Sequence, residues 1–227
     1  MPAHRPAPAA IRATAADLPL RVAAARADPR PGRERIVEVD GIRWRAIEWG
    51  DPGDPPVVLV HGVTSNAETF WRVGPAVAAA SRHVLAMDLP GHGRTGSWRG
   101  RHRFAETAAD LAAFIRAAGL GRADLAILGH SWGAMVAAAL PAAGLRPARI
   151  LLLDPPALPV AAMEAMTLDP TERRYDDLDA ALAAIRNVNP GWSEGDVHAK
   201  ALGLTQFEVE AARAVLVDNG DWDGGLG

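Results

Sequence analysis

The chain contains no cysteine in 227 residues. That removes disulfide bridges, cysteine-zinc sites and thiol catalysis together, and fits a reducing compartment such as the cytoplasm. No apolar stretch reaches the roughly 18 to 20 residues that a bilayer-spanning helix needs, and the longest, AMVAAALPAAGL, is interrupted by Pro141. No dense block of Lys and Arg exists and the formal charge is -3, so neither nucleic acid nor a membrane is the expected partner. No two histidines stand at ligand spacing around a carboxylate, so no metal is expected. No Gly-x-Gly-x-x-Gly opens the first helix of the parallel series described below, and there is no Gly-Lys-Ser/Thr loop. Hydride transfer and phosphate chemistry are disfavoured accordingly, and no cofactor is expected. Internal repeats are also lacking.

What is present divides the chain into three. Residues 1–34, rich in Ala, Arg and Pro, read as a flexible or weakly helical extension, with a helix near Ala9 to Ala27 ended by ADPRPG. An acid-poor, Arg-bearing start resembles an organelle transit peptide, but Asp17 and the prolines speak against that reading.

Residues 35–156 read as an α/β core. RIVEV and IRWRAIEWG flank Asp40-Gly41, a dipeptide that supplies the positive φ angles of a tight hairpin. VVLVHG is too uniformly apolar to face water on one side, as a central parallel strand would be. A helix over NAETFWRVGPAVAAA, kinked or broken at Pro75, precedes the strand RHVLAMD. The helix FAETAADLAAFIRAAG, the strand ADLAILG, the helix SWGAMVAAALPAA and the strand ARILLLDPP complete the series. This alternation predicts a mostly parallel sheet with helices on both faces. Residues 157–227 read as a small helical segment, with helices over DDLDAALAAIRN and TQFEVEAARAVLVDN and NPGWSEGDVHAKALGL between them.

Gly129-x-Ser131-x-Gly133 lies between a predicted strand and a predicted helix, the context that a nucleophile elbow requires. A serine on so sharp a bend leaves no room for side chains two residues away, and the bend lifts its hydroxyl clear of the sheet. The Trp132 N–H, at the start of the next helix, then faces developing negative charge. A glycine-flanked helix N-cap serine is the plainer alternative.

The chain thus resembles the α/β-hydrolase fold family over about residues 35 to 223. His61-Gly62, the run DLPGHGRT at 88 to 95 and GHSWG at 129 to 133 follow the third, fourth and fifth strands in the family's order. The resemblance implies Ser131 as nucleophile and the N–H groups of Val63 and Trp132 as the oxyanion hole. It implies that Gly62, Gly129 and Gly133 shape the elbow and its facing loop. His61 and His92 would likewise shape loops, Asp88 would hold one, and His130 would point elsewhere. It further implies that residues 157–227 form a cap over the pocket, to which Trp71, Trp98, Trp132 and Trp192 could contribute.

The family's order places an acid and then a histidine after the serine. Asp154, ending ILLLD, is the candidate acid. His198 is the only downstream histidine, and it falls in the cap, not after a last strand. The expectation is therefore a chain truncated before its final strands. A second polypeptide completing it is the next reading, and a non-catalytic relative, or one recruiting His61, His92 or His198, follows. An open sheet edge would favour self-association or a completing polypeptide. The function expected is hydrolysis of a small ester, lactone or related acyl substrate through an acyl-serine, with a binding protein on the same scaffold as the alternative. A serine in place of an aspartate disfavours dehalogenase and epoxide hydrolase chemistry.

Overall fold

The structure, a computed structural model, describes residues 17–166, 172–220 and 222. Its sheet has six strands: β1 (Arg33–Val39), β2 (Ile42–Trp49), β3 (Pro56–Val60), β4 (His83–Met87), β5 (Ala126–His130) and β6 (Arg149–Leu153). The spatial order is β1-β2-β4-β3-β5-β6. The first hairpin is antiparallel, and β2 meets β4 antiparallel. The remaining four strands are parallel, as their apolar runs predict. Asp40 and Gly41 both have positive φ, 49° and 71°, so the turn is of the mirror-image type that suits strand twist.

Strand periodicity divides the core in two. Val58, Val60, Leu85 and Met87 face one side with Leu111 and Ile115 of α3 (Phe104–Ala117) and Val136 of α4 (Trp132–Ala139). Leu59, Val84 and Ala86 face the other with Phe70 and Trp49, and Val77 and Ala78 of α2 (Val73–Ala78) pack against them. Pro75 does not break the helix expected around it. The break comes earlier, between a 3₁₀ turn over Ala67–Phe70 and α2. Pro75 sits in the first turn of α2, where its missing N–H costs nothing.

Of the predicted N-terminal helix, α1 occupies Leu18–Ala27, and its expected start lies outside the described residues. After β6 come α5 (Val160–Met166), α6 (Leu178–Val188), α7 (Glu194–Thr205) and α8 (Val209–Val217). Two of these, α5 and α7, fall where the sequence pattern suggested connection. The segment is sewn onto the loops at the carboxyl ends of the strands. Gly93 N–H donates to Gln206 O, Glu208 N–H to Gly91 O, and Asn66 Nδ2 to Gln206 Oε1.

Candidate active site

β5 delivers Ser131 to the carboxyl edge of the sheet, and α4 leaves from the next residue. Ser131 holds φ 53° and ψ -121°, a conformation that costs a non-glycine residue strain. Its N–H donates to Leu153 O of the neighbouring strand at 3.0 Å. The flanking glycines are required by close approach. A Cβ on Gly129 would overlap the Gly133 carbonyl, and one on Gly133 would overlap the carbonyls of Val60 and His61. Ser131 does occupy the N-cap position of α4, but its hydroxyl makes no cap hydrogen bond to the helix.

The loop after β3 faces the serine. The Cβ position of Gly62 lies 3.2 Å from Ser131 Cβ, so any larger residue would press on Ser131. His61 Nε2 accepts the Leu89 N–H at 3.0 Å, which fixes the proton on Nδ1, and Nδ1 donates to Gly62 O at 2.7 Å. That carbonyl shares its peptide with the Val63 N–H. Because the two point in opposite directions across a trans peptide, anchoring one aims the other away from His61. Neither the Val63 nor the Trp132 N–H has an acceptor among the described residues.

His92 hydrogen-bonds Val63 O through Nε2 and approaches Pro90 O through Nδ1. Burial lowers the His61 pKa to about 4 and that of His92, with help from neighbouring His61, to about 3. Both rings are neutral near pH 7, and all four of their nitrogens face backbone groups. Asp88 is fully buried and accepts from the N–H groups of Ala67 (2.8 Å) and Arg94 (2.9 Å), with Arg45 at 3.4 Å. It ties loops together, as expected.

A cavity of about 1170 Å³ opens above Ser131. Val63, Asp154, Trp71 and Trp192 line it, whereas Trp98 and Trp132 do not; Trp222, unnoticed in the sequence, does. Trp132 is buried beside His92 instead, with ring centroids 5.3 Å apart. Asp154 follows β6 with φ 50°. His198 is exposed on α7 and does not line the cavity.

The expectation that His130 points elsewhere is overturned. Its half-buried ring lines the cavity, with Nδ1 3.3 Å from the Gly62 Cβ position. The positive φ of Ser131 ends the strand alternation that would have sent the two side chains to opposite faces. A polar cluster also escaped the sequence reading. Thr64 Oγ1 donates to Glu172 Oε2, and Lys200 Nζ donates to the same oxygen at 2.7 Å. Lys200 was hidden because α7 itself was, with Gly195 and Gly203 diluting its helical pattern.

Comparison with known proteins places this geometry in context. The pattern described as alpha/beta hydrolase fold matches residues 55–195. Epoxide hydrolase A of Mycobacterium tuberculosis is 39% identical over 136 residues, covering 56% of this chain and 40% of that protein. The lipase LipV of the same organism is 30% identical over 151 residues, covering 65% of this chain and 55% of that protein. Among solved structures, the thioesterase domain from the curacin biosynthetic pathway superposes with a TM-score of 0.61 at 25% identity. That match covers 77% of this chain and 68% of that one. The chain thus spans about half or less of the length of these two curated relatives.

Proposed function

Because the chain belongs to the α/β-hydrolase fold family, we propose that it hydrolyses a small ester, lactone or related acyl compound through an acyl-Ser131 intermediate. The observation that carries this reading is Ser131 itself. It is held at a strained positive φ on the floor of a cavity, with its hydroxyl uncommitted to the helix and two backbone N–H groups unpaired nearby. The Ser131 oxygen attacks the substrate carbonyl, and the negative charge that develops falls to the N–H groups of Val63 and Trp132. Losing one such donor costs roughly 3 to 4 kcal/mol of transition-state energy. Collapse expels the alcohol, and water releases the acid.

The relative named as an epoxide hydrolase brings a second chemistry into view. A carboxylate that opens an epoxide forms an ester that water can cleave. A serine would form an ether, which water does not cleave under these conditions. Ser131 therefore favours acyl over epoxide chemistry.

Intact-mass analysis after treatment with a fluorophosphonate tests the proposal. One adduct on the Ser131 peptide is expected, with none in Ser131→Ala. Equal labelling of both proteins would remove Ser131 as nucleophile. An unlabelled wild type that still bound acyl compounds would make the chain a binding protein.

A further inference from the structure

We propose that the substrate carries a neutral amide close to its reacting carbonyl, and that Lys200 and Glu172 recognise this amide from the wall of the cavity above Ser131. The inference deepens the acyl-serine reading above and rests on it. Lys200 lies on α7 and Glu172 in the connection before α6, and both line the cavity together with Thr64. Their bonds form a closed triangle. Lys200 Nζ donates to Glu172 Oε2 at 2.7 Å and to Thr64 Oγ1 at 3.2 Å, while the Thr64 hydroxyl donates to the same Glu172 oxygen.

The bonding capacity left over defines what the triangle can hold. An ammonium has three N–H donors, and the triangle uses two of those on Lys200. Among the described residues, no donor reaches the other carboxylate oxygen, Glu172 Oε1. The two side chains are 22% and 31% exposed, so a molecule in the cavity can reach both. One charged donor beside one charged acceptor is matched by a carbonyl next to an N–H, which is an amide. A carboxylate would bond Lys200 and be repelled by Glu172, and an ammonium would meet the converse. An alkyl group would leave both unpaired.

The rest of the wall does not tip the balance towards an ion. Asp196 accepts from Trp71 Nε1 at 3.2 Å and pairs with Arg72 at 3.2 Å. Arg173 and Arg174 are exposed to water, the first over the Tyr175 ring and the second donating to Phe207 O. Arg213 and Asp154, also exposed, are opposite in charge.

The triangle also lies beside the reacting centre. Thr64 follows Val63, the proposed oxyanion donor, and successive Cα atoms are about 3.8 Å apart. The helix α7 is seated tightly on this loop, since a Cβ on Gly203 would come within 3.1 Å of Thr64 O and Ser65 Cα. The charge of Lys200 is felt at His130, the residue before Ser131. An amide held by the triangle therefore sits within a few bonds of the carbonyl that Ser131 attacks.

The test is binding of four methyl esters of matched length to Ser131→Ala, in which they stay intact: methyl succinamate, monomethyl succinate, the methyl ester of γ-aminobutyrate and methyl pentanoate. Shifts of the indole N–H resonances report occupancy, because Trp71 and Trp192 line the cavity. The succinamate should bind about 10-fold more tightly than the other three. Adding Glu172→Gln should make the carboxylate ester the best ligand, and adding Lys200→Met should make the ammonium ester the best. Equal binding of the four, binding of none, or preference for another ester with the pair intact would overturn the proposal. A ranking unchanged in both variants, shown to be folded by circular dichroism, would overturn it too. The ranking with the pair intact decides the matter even where a variant fails to fold. Fluorophosphonate labelling of the wild type separates this inference from the reading it rests on. A labelled Ser131 with a flat ranking would overturn the amide assignment alone, whereas a succinamate preference with Ser131 unlabelled would overturn the acyl-serine reading.

Discussion

A non-glycine residue at the backbone angles of Ser131 costs about 1 to 3 kcal/mol, and the fold supplies that through the bond to Leu153 and the close glycine contacts. Ser131→Gly should therefore raise stability by roughly 1 kcal/mol while abolishing labelling, which urea unfolding followed by tryptophan fluorescence will show. Destabilisation instead would mean that the angles carry no strain. His61 and His92 make a second expectation at this scale. Both are protonated with an ordinary pKa near 6.5 when unfolded, but have folded values of about 4 and about 3. Between those limits the unfolded chain binds more protons, so stability falls with falling pH. Full stability above pH 6.5 should give way to a loss on the order of 2 kcal/mol per ring by pH 5. The urea midpoint between pH 7 and pH 5 measures it, and a flat profile would contradict the burial of both rings as neutral species.

Elements were legible in the sequence where a local rule and the tertiary demand agreed. Asp40-Gly41 supplies the two positive φ angles its hairpin needs, and the uniform runs at β3 and β4 are buried on both faces. The elbow was legible for the same reason, since Gly129 and Gly133 are demanded by contacts with backbone that no sequence change elsewhere can relieve. The helix α7 was not. Its stop signals, Pro190 and Gly191, lie just before Ser193, whose side chain caps the helix by accepting the Asp196 N–H. Two internal glycines then weaken the pattern, although Gly195 packs on Trp71 and Gly203 on the backbone of Thr64 and Ser65. Those glycines let α7 approach Trp71 and the loop after β3, a long-range need with no local signature. The placement of His130 was unreadable for a related reason, because it depends on the backbone angle of its neighbour.

At the scale of the whole molecule, β6 is the outer strand of the sheet among the described residues. Leu151, Leu152 and Leu153 are 51%, 37% and 52% exposed, an apolar edge open on both faces where neighbouring strands are covered. Such an edge is a template for pairing. For the 227-residue chain taken by itself, pairing with a second copy is the outcome to test. Antiparallel pairing sets the Arg149 end of one β6 beside the Asp154 end of the other, whereas parallel pairing would set like charges together. Sedimentation velocity should show association rising with concentration, and Leu151→Lys with Leu153→Lys should suppress it. A monomer throughout would refute the pairing. The same edge bears on Ser131. Ser131 is moored at its backbone to Leu153, the last residue of that outermost strand, so any fraying of the margin slackens the mooring. Whatever steadies β6 also steadies the backbone of Ser131 at the sheet's outer border.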